Sequence, residues 1–165
     1  TVMLLMVTTL QDRSTIAQLR RDQISNGYLT VHRGKTKATN RPVAIPLDLS
    51  MKVLGVSLRS LLERRTGVVS PFIVHHVKPW GNAPAGSPVS VDRMSHAFAL
   101  ARDLAGLGDG DSPPSLYECK SLGVRTYKAT QPEVDLKALA GHATDRMHEL
   151  YADARGIEPV MVRIA

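Results

Sequence analysis

A chain of 165 residues, 43% apolar and with two phenylalanines and one tryptophan, suits one aliphatic core and excludes a two-domain architecture. Its 21 Lys and Arg against 15 Asp and Glu leave a formal charge of +6, a balance that favours encounter with an anionic polymer. Cys119 is the only cysteine, which excludes an internal disulfide, and the placement of His75, His76, His96 and His148 excludes a zinc motif.

Val2 to Val7 is an unbroken apolar run, too short to span a bilayer and without the basic lead of a signal peptide, and reads as a buried helix cut from a longer protein. Asp12 is placed to cap a helix starting near Arg13 by accepting a backbone hydrogen bond. Asn26-Gly27 marks a turn before the alternating run Tyr28 to Arg33. Val43 and Ile45 repeat the alternation, predicting a hairpin whose loop holds Gly34-Lys35-Thr36-Lys37, with Phe72-Ile73-Val74 as a candidate third strand. Ser50 or Asp48 is placed to cap a helix that aligns Leu54, Leu58, Leu61 and Leu62 on one stripe. Ser90 opens a second helix with Met94, Ala97, Phe98, Ala101 and Leu104 on its apolar face and Gly106 as its stop. Pro132-Glu133 opens a short helix that Gly141 closes, and Thr144-Asp145 begins the next, which carries Tyr151. Pro79 to Pro88 and Leu107 to Pro114 are surface loops, and residues 157–165 form a terminal strand or arm. The sum is an α+β fold, mainly helical with a small antiparallel β-sheet, in one domain over residues 1–165.

Taken singly, the polar residues carry little. Tyr151 follows Met147 by one turn, as a core aromatic would, and His142 after Gly141 is placed to meet the last carbonyls of a helix. Lys35, Arg20, Arg21, Arg41, Arg93 and Arg102 are solvated charges or phosphate contacts. Taken in order they form a pattern. Thr9-Leu10-Gln11-Asp12 with Ile16, Leu19 and Ile24, then Asn26-Gly27-Tyr28-Leu29 through Lys35-Thr36 to Ile45-Pro46, then Leu54-Gly55-Val56-Ser57, are followed by Pro113-Pro114-Ser115-Leu116-Tyr117-Glu118-Cys119-Lys120-Ser121-Leu122. Gly141-His142 with Asp145, Met147, Tyr151 and Asp153-Ala154-Arg155-Gly156 complete the set. These five boxes resemble the catalytic domain of the tyrosine recombinase (phage integrase) family, over nearly the whole chain.

The resemblance implies site-specific recombination on double-stranded DNA without metal or nucleotide cofactor. Tyr151 would be the nucleophile that forms a 3'-phosphotyrosine, His142 a donor to the phosphate, and Lys35 the general acid for the leaving 5'-oxygen. It also implies a missing upstream DNA-clamping domain, a tetramer on DNA for the longer protein, a monomer for this piece, no membrane, and a cytoplasmic setting. Three positions depart from the pattern. Asp12 stands where the first arginine is expected, Tyr117 replaces the histidine, and Lys120 replaces the second arginine. Arg13, one residue late, would point about 100° round a helix, and with Arg41, Arg93 and Arg102 it remains a possible phosphate contact. Lysine keeps a charge but loses the planar fork that grips two phosphate oxygens. Loss of one preset transition-state donor costs roughly 2.7–4 kcal/mol, about 100- to 1000-fold in rate. The reading is therefore a recombinase catalytic domain with impaired cleavage; a non-catalytic DNA-binding relative and a decayed prophage fragment are the alternatives.

Overall fold

The computed structural model describes residues 1–32, 42–64 and 66–140. The expectations placed on Lys35 and its loop, Arg41, His142, the helix carrying Tyr151 and the tail 157–165 lie outside the described residues.

The apolar run at the start is helix α1, Val2–Thr9, with Leu5, Met6 and Val7 buried. Leu10 ends it in the left-handed region, φ 56° and ψ 23°, and donates its N–H to the Met6 carbonyl. That conformation costs an L-residue about 1 kcal/mol, which the full burial of the Leu10 side chain, at about 2 kcal/mol, offsets. A corner results, and the short helix α2, Arg13–Ala17, leaves it in a new direction.

Against α1 lies α5, Glu118–Thr130. The approach is close because position 123 is glycine: a Cβ there would run into the Val7 carbonyl oxygen and come within 2.6 Å of Leu10 Cδ2. One turn further along, the fully buried Tyr127 donates its hydroxyl to the Thr8 carbonyl at 2.9 Å.

The predicted hairpin forms. Asn26 (φ 49°) and Gly27 (φ 80°) turn β1, Ile24–Ser25, into β2, Tyr28–Val31, as a tight turn with two left-handed residues requires. β2 then pairs antiparallel with β3, Val43–Pro46, setting the buried Leu29 opposite the buried Ile45. Phe72-Ile73-Val74 does not extend this sheet. Ile73 donates its N–H to the Leu19 carbonyl at 2.9 Å, and the Arg21 guanidinium bonds the Ser70 and Leu62 carbonyls at 3.2 and 3.4 Å, which holds the segment beside residues 19–21 instead.

Two predicted helices start later than expected. Gly55, at φ 61°, breaks the leucine stripe, and Ser50–Met51 (β4) pairs with Val56–Ser57 (β5) around it. Ser57 rather than Ser50 or Asp48 caps α3, Leu58–Leu62, its hydroxyl accepting the Ser60 N–H at 3.1 Å, while Leu54 is left 44% exposed. Likewise α6 runs Leu136–Ala140, with Asp135 Oδ1 accepting the Ala138 N–H at 2.9 Å. Residues 131–133 cannot serve as its first turn because they are tied to β4. Gln131 accepts the Lys52 N–H at 2.8 Å and donates to the Ser50 carbonyl at 2.9 Å, and Glu133 pairs with Lys52 at 3.0 Å. The helix expected after Ser90 is α4, Val91–Leu104, capped by the Ser90 hydroxyl and stopped before Gly106 at φ 72°. Of its apolar stripe Met94 is buried, whereas Leu104 is 81% exposed. The architecture is α+β, helices around small antiparallel sheets. Among the described residues no helix is long and apolar enough to cross a membrane.

Gly123→Ala is expected to lower stability by about 1–3 kcal/mol, since a backbone carbonyl must move to admit one methyl; a urea melt reads it, and an unchanged midpoint would contradict the close approach. Burial raises the Cys119 thiol from 9.0 to about 11 and raises the Tyr127 hydroxyl as well. Both therefore lose their protons more readily in the unfolded chain, so their stabilisation is complete below about pH 9 and declines as pH rises through the folded values. Tyr127→Phe should cost about 1 kcal/mol at pH 7 and flatten the decline above pH 10, the ordinary value for that hydroxyl; melts from pH 7 to 11 would measure both.

Candidate functional site

The corner after α1 sets Asp12 at the start of α2 in extended conformation, φ −68° and ψ 154°. A capping bond from its side chain was the expectation, and none is made. The carboxylate turns instead to α5, where Oδ1 stands 3.5 Å from Lys120 Nζ across 108 residues of sequence. The competing interaction wins because Lys120 lies in the first turn of α5, pressed against α1, and its side chain is 3% exposed. An ammonium held that far from water is costly without a facing anion. Asp12, 31% exposed, supplies it from the solvent side. The distance is long for a hydrogen bond, so the attraction is mainly between net charges.

The sequence around Lys120 explains why α5 begins where it does. Glu118 reaches back to accept the Ser115 N–H at 2.7 Å and its hydroxyl at 3.0 Å, which fixes the entry to the helix. Tyr117, at the helix start, is 45% exposed.

A second tie gathers the boxes. Gln11, fully buried between Leu10 and Asp12, donates Nε2 to the Thr9 carbonyl at 3.0 Å and to the Leu139 carbonyl at 2.7 Å. Leu139 lies in α6, two residues before Gly141 in sequence, so the corner that carries Asp12 is joined both to α5 and to the end of α6. Gln11 was not singled out from sequence. Its only signal there is its place in Thr9-Leu10-Gln11-Asp12, and a glutamine among such polar neighbours ordinarily marks a solvated position.

The arginines go elsewhere. Arg13 donates Nη1 to the Ser95 hydroxyl at 2.8 Å, directing its guanidinium to α4. Arg93 lies over the Trp80 ring, 3.6 Å from its centroid, and Arg102 pairs with Asp103 at 2.7 Å while also donating to the Pro114 carbonyl at 3.1 Å. The Trp80 stack, too, was missed, because nothing in the sequence brings a loop tryptophan to a helix arginine. A cavity of about 960 Å³ opens among α1, α3 and α4, with Phe98 and Trp80 in its wall; neither Asp12 nor Lys120 lines it, so it is separate from the ion pair. Among the described residues no three His, Cys, Asp or Glu side chains stand together as metal ligands. Cys119, buried and with its thiol raised to about 11, stays protonated at neutral pH and is no nucleophile.

No family model matches the chain. The prophage integrase IntE of Escherichia coli strain K12 is 33% identical over 156 residues, 93% of this chain and 40% of IntE. The integrase of Enterobacteria phage P21 is 30% identical over 164 residues, 98% of this chain and 42% of that integrase. The chain thus spans about two fifths of the length of the curated relatives it matches. Among solved structures, the lambda integrase catalytic core aligns with a TM-score of 0.72 at 28% identity, over 86% of this chain and 80% of that one. The lambda integrase tetramer bound to a Holliday junction aligns with a TM-score of 0.81 at 28% identity, over 99% of this chain and 44% of that one. In sequence and in fold alike, then, the chain is a homologue of the phage and prophage integrases, carrying the fold of the lambda integrase catalytic core, a tyrosine recombinase.

Proposed function

We propose that this chain is the catalytic-domain part of a phage-type site-specific DNA recombinase whose strand cleavage is slow. The proposed substrate is double-stranded DNA. Tyr151 attacks a phosphodiester, His142 donates to the phosphate, Lys35 protonates the leaving 5'-oxygen and Lys120 supplies positive charge, with no metal or cofactor taking part. Similarity to integrases over nearly the whole chain supports the reaction class. The observation that carries the impairment is the Asp12–Lys120 pair: in a pocket that should stabilise growing negative charge, the described cation is already faced by a carboxylate. Assembly follows the same reasoning. A lambda integrase tetramer on a Holliday junction supports a tetramer on DNA for the longer protein, with the isolated chain monomeric and Arg13, Arg41, Arg93 and Arg102 as candidate phosphate contacts. A DNA substrate of this kind also implies work in the bacterial cytoplasm.

The same pair favours a second reading, a relative that occupies DNA without cutting it. Nicked duplexes incubated with the chain and run on denaturing gels separate the two. Slow cleavage predicts a trace covalent adduct that Tyr151→Phe abolishes, and a gain of at least about 100-fold in the triple variant Asp12→Arg, Tyr117→His, Lys120→Arg. Absence of any adduct in both, with salt-dependent duplex binding retained in Tyr151→Phe, would leave only the non-cutting relative.

A further inference from the structure

Helix α4 is short of partners. Its 14 residues, Val91–Leu104, bury only Met94. A helix of that length is marginal in water and takes most of its stability from an apolar face packed against another element. The face in question is open: Arg93, Ala97, Ala101 and Ala105 recur at four-residue spacing and line the cavity of about 960 Å³, with Phe98 beside them. At 1.5 Å per residue the stripe from 93 to 105 runs about 18 Å, three turns of helix. Ala97 and Ala101 are exposed, and side chains that short let a second helix axis come close. The rest of the wall is largely aliphatic, with Leu62, Val74 and Leu116 in it.

The charge around this groove has one sign. Arg21, Arg64, Lys78, Arg93 and Arg102 line it, and no Asp or Glu does. Among the described residues only Arg102 of the five is paired with a carboxylate, that of Asp103. A cleft with low-dielectric walls and a single sign of charge focuses its field on ions of the other sign. We propose that the groove docks an acidic amphipathic helix from outside these 165 residues, laid along α4 with its apolar side down and its carboxylates toward the basic wall. Apolar anchors at three- and four-residue spacing are what such a groove reads. The length of the stripe, and cations drawn from four separate segments, suit carboxylates spaced along a helix better than one headgroup. A second copy of the chain, at +6, brings the wrong sign. None of this depends on the recombination reading.

The test uses the whole chain, whose one tryptophan, Trp80, stands 57% exposed in the groove wall against Arg93 and reports occupancy directly. The probes are tryptophan-free synthetic peptides of 14 residues, as long as α4, with leucines at alternating three- and four-residue spacing. Their other positions are glutamate in one, glutamine in the second and lysine in the third. The glutamate peptide should blue-shift the Trp80 emission and saturate below about 1 mM at low salt, bind about 10-fold more tightly than the glutamine peptide, and weaken as salt rises. The lysine peptide should not bind. Ala101→Arg, which fills the groove from an exposed position, should abolish the response. Arg64→Glu with Lys78→Glu should weaken the glutamate peptide at least about 10-fold, while Lys128→Glu, on α5 and outside the groove, leaves it unchanged. Circular dichroism checks each fold, and should Ala101→Arg unfold, the Arg64→Glu/Lys78→Glu variant decides. No Trp80 response to the glutamate peptide, or equal binding of all three peptides, would overturn the proposal. So would a groove that answers to sodium laurate or a short DNA duplex but to no peptide, or one closed by a second copy, seen as a sedimenting dimer that Ala101→Arg dissociates.

Discussion

Everything at the candidate site depends on how near α5 comes to α1. Helix axes separated by ordinary side chains would leave Lys120 at a rim, hydrated and free to choose partners. Glycine at 123 removes that spacing, and Tyr127 fastens the contact by giving its hydroxyl to a carbonyl of the other helix. The first turn of α5 is thereby carried under the corner at Leu10, where the backbone accepts a left-handed residue in order to turn. Asp12 and Lys120 meet because of packing decisions made at residues that bear no charge.

Much of the fold can be read from the chain, for reasons that are local. Asn26-Gly27 has few alternatives to a tight turn, Ser90 with Gly106 brackets α4 at both ends, and the apolar run Val2 to Val7 buries its second half, Leu5 to Val7, in the core. The errors share a cause. Leu54 and Pro132 sit in patterns that suit a helix, but Gly55 and the side chain of Gln131 commit those residues to β4 and its neighbour, through contacts spanning up to 81 residues. Periodicity has no access to such pairings. Phe72 to Val74 similarly has the composition of a strand, and the bonds from Ile73 to Leu19 and from Arg21 to Ser70 and Leu62 decide which neighbour it adopts.

At the site, the sequence offered candidate positions and was silent about partnership. Asp12, Tyr117 and Lys120 are the positions where a departure from the family pattern was expected, and Asp12 and Lys120 taken separately suggest two independent features. Their meeting at 3.5 Å joins them as one pair of opposite charges. The sequence could not anticipate that the capping role suited to Asp12 would be declined. Capping is worth about 1 kcal/mol, whereas taking away an anion that faces a buried ammonium costs more, so the ammonium claims the side chain.

The burial of Cys119 gives the molecule a built-in reporter. It is the sole thiol, it adjoins Lys120 in sequence, and it is buried in the first turn of α5. A thiol reagent can reach it only when its surroundings open, so the labelling rate counts openings around the start of α5 without any introduced probe. The chain thus carries a chemical clock beside its candidate site, one that registers local breathing separately from global unfolding.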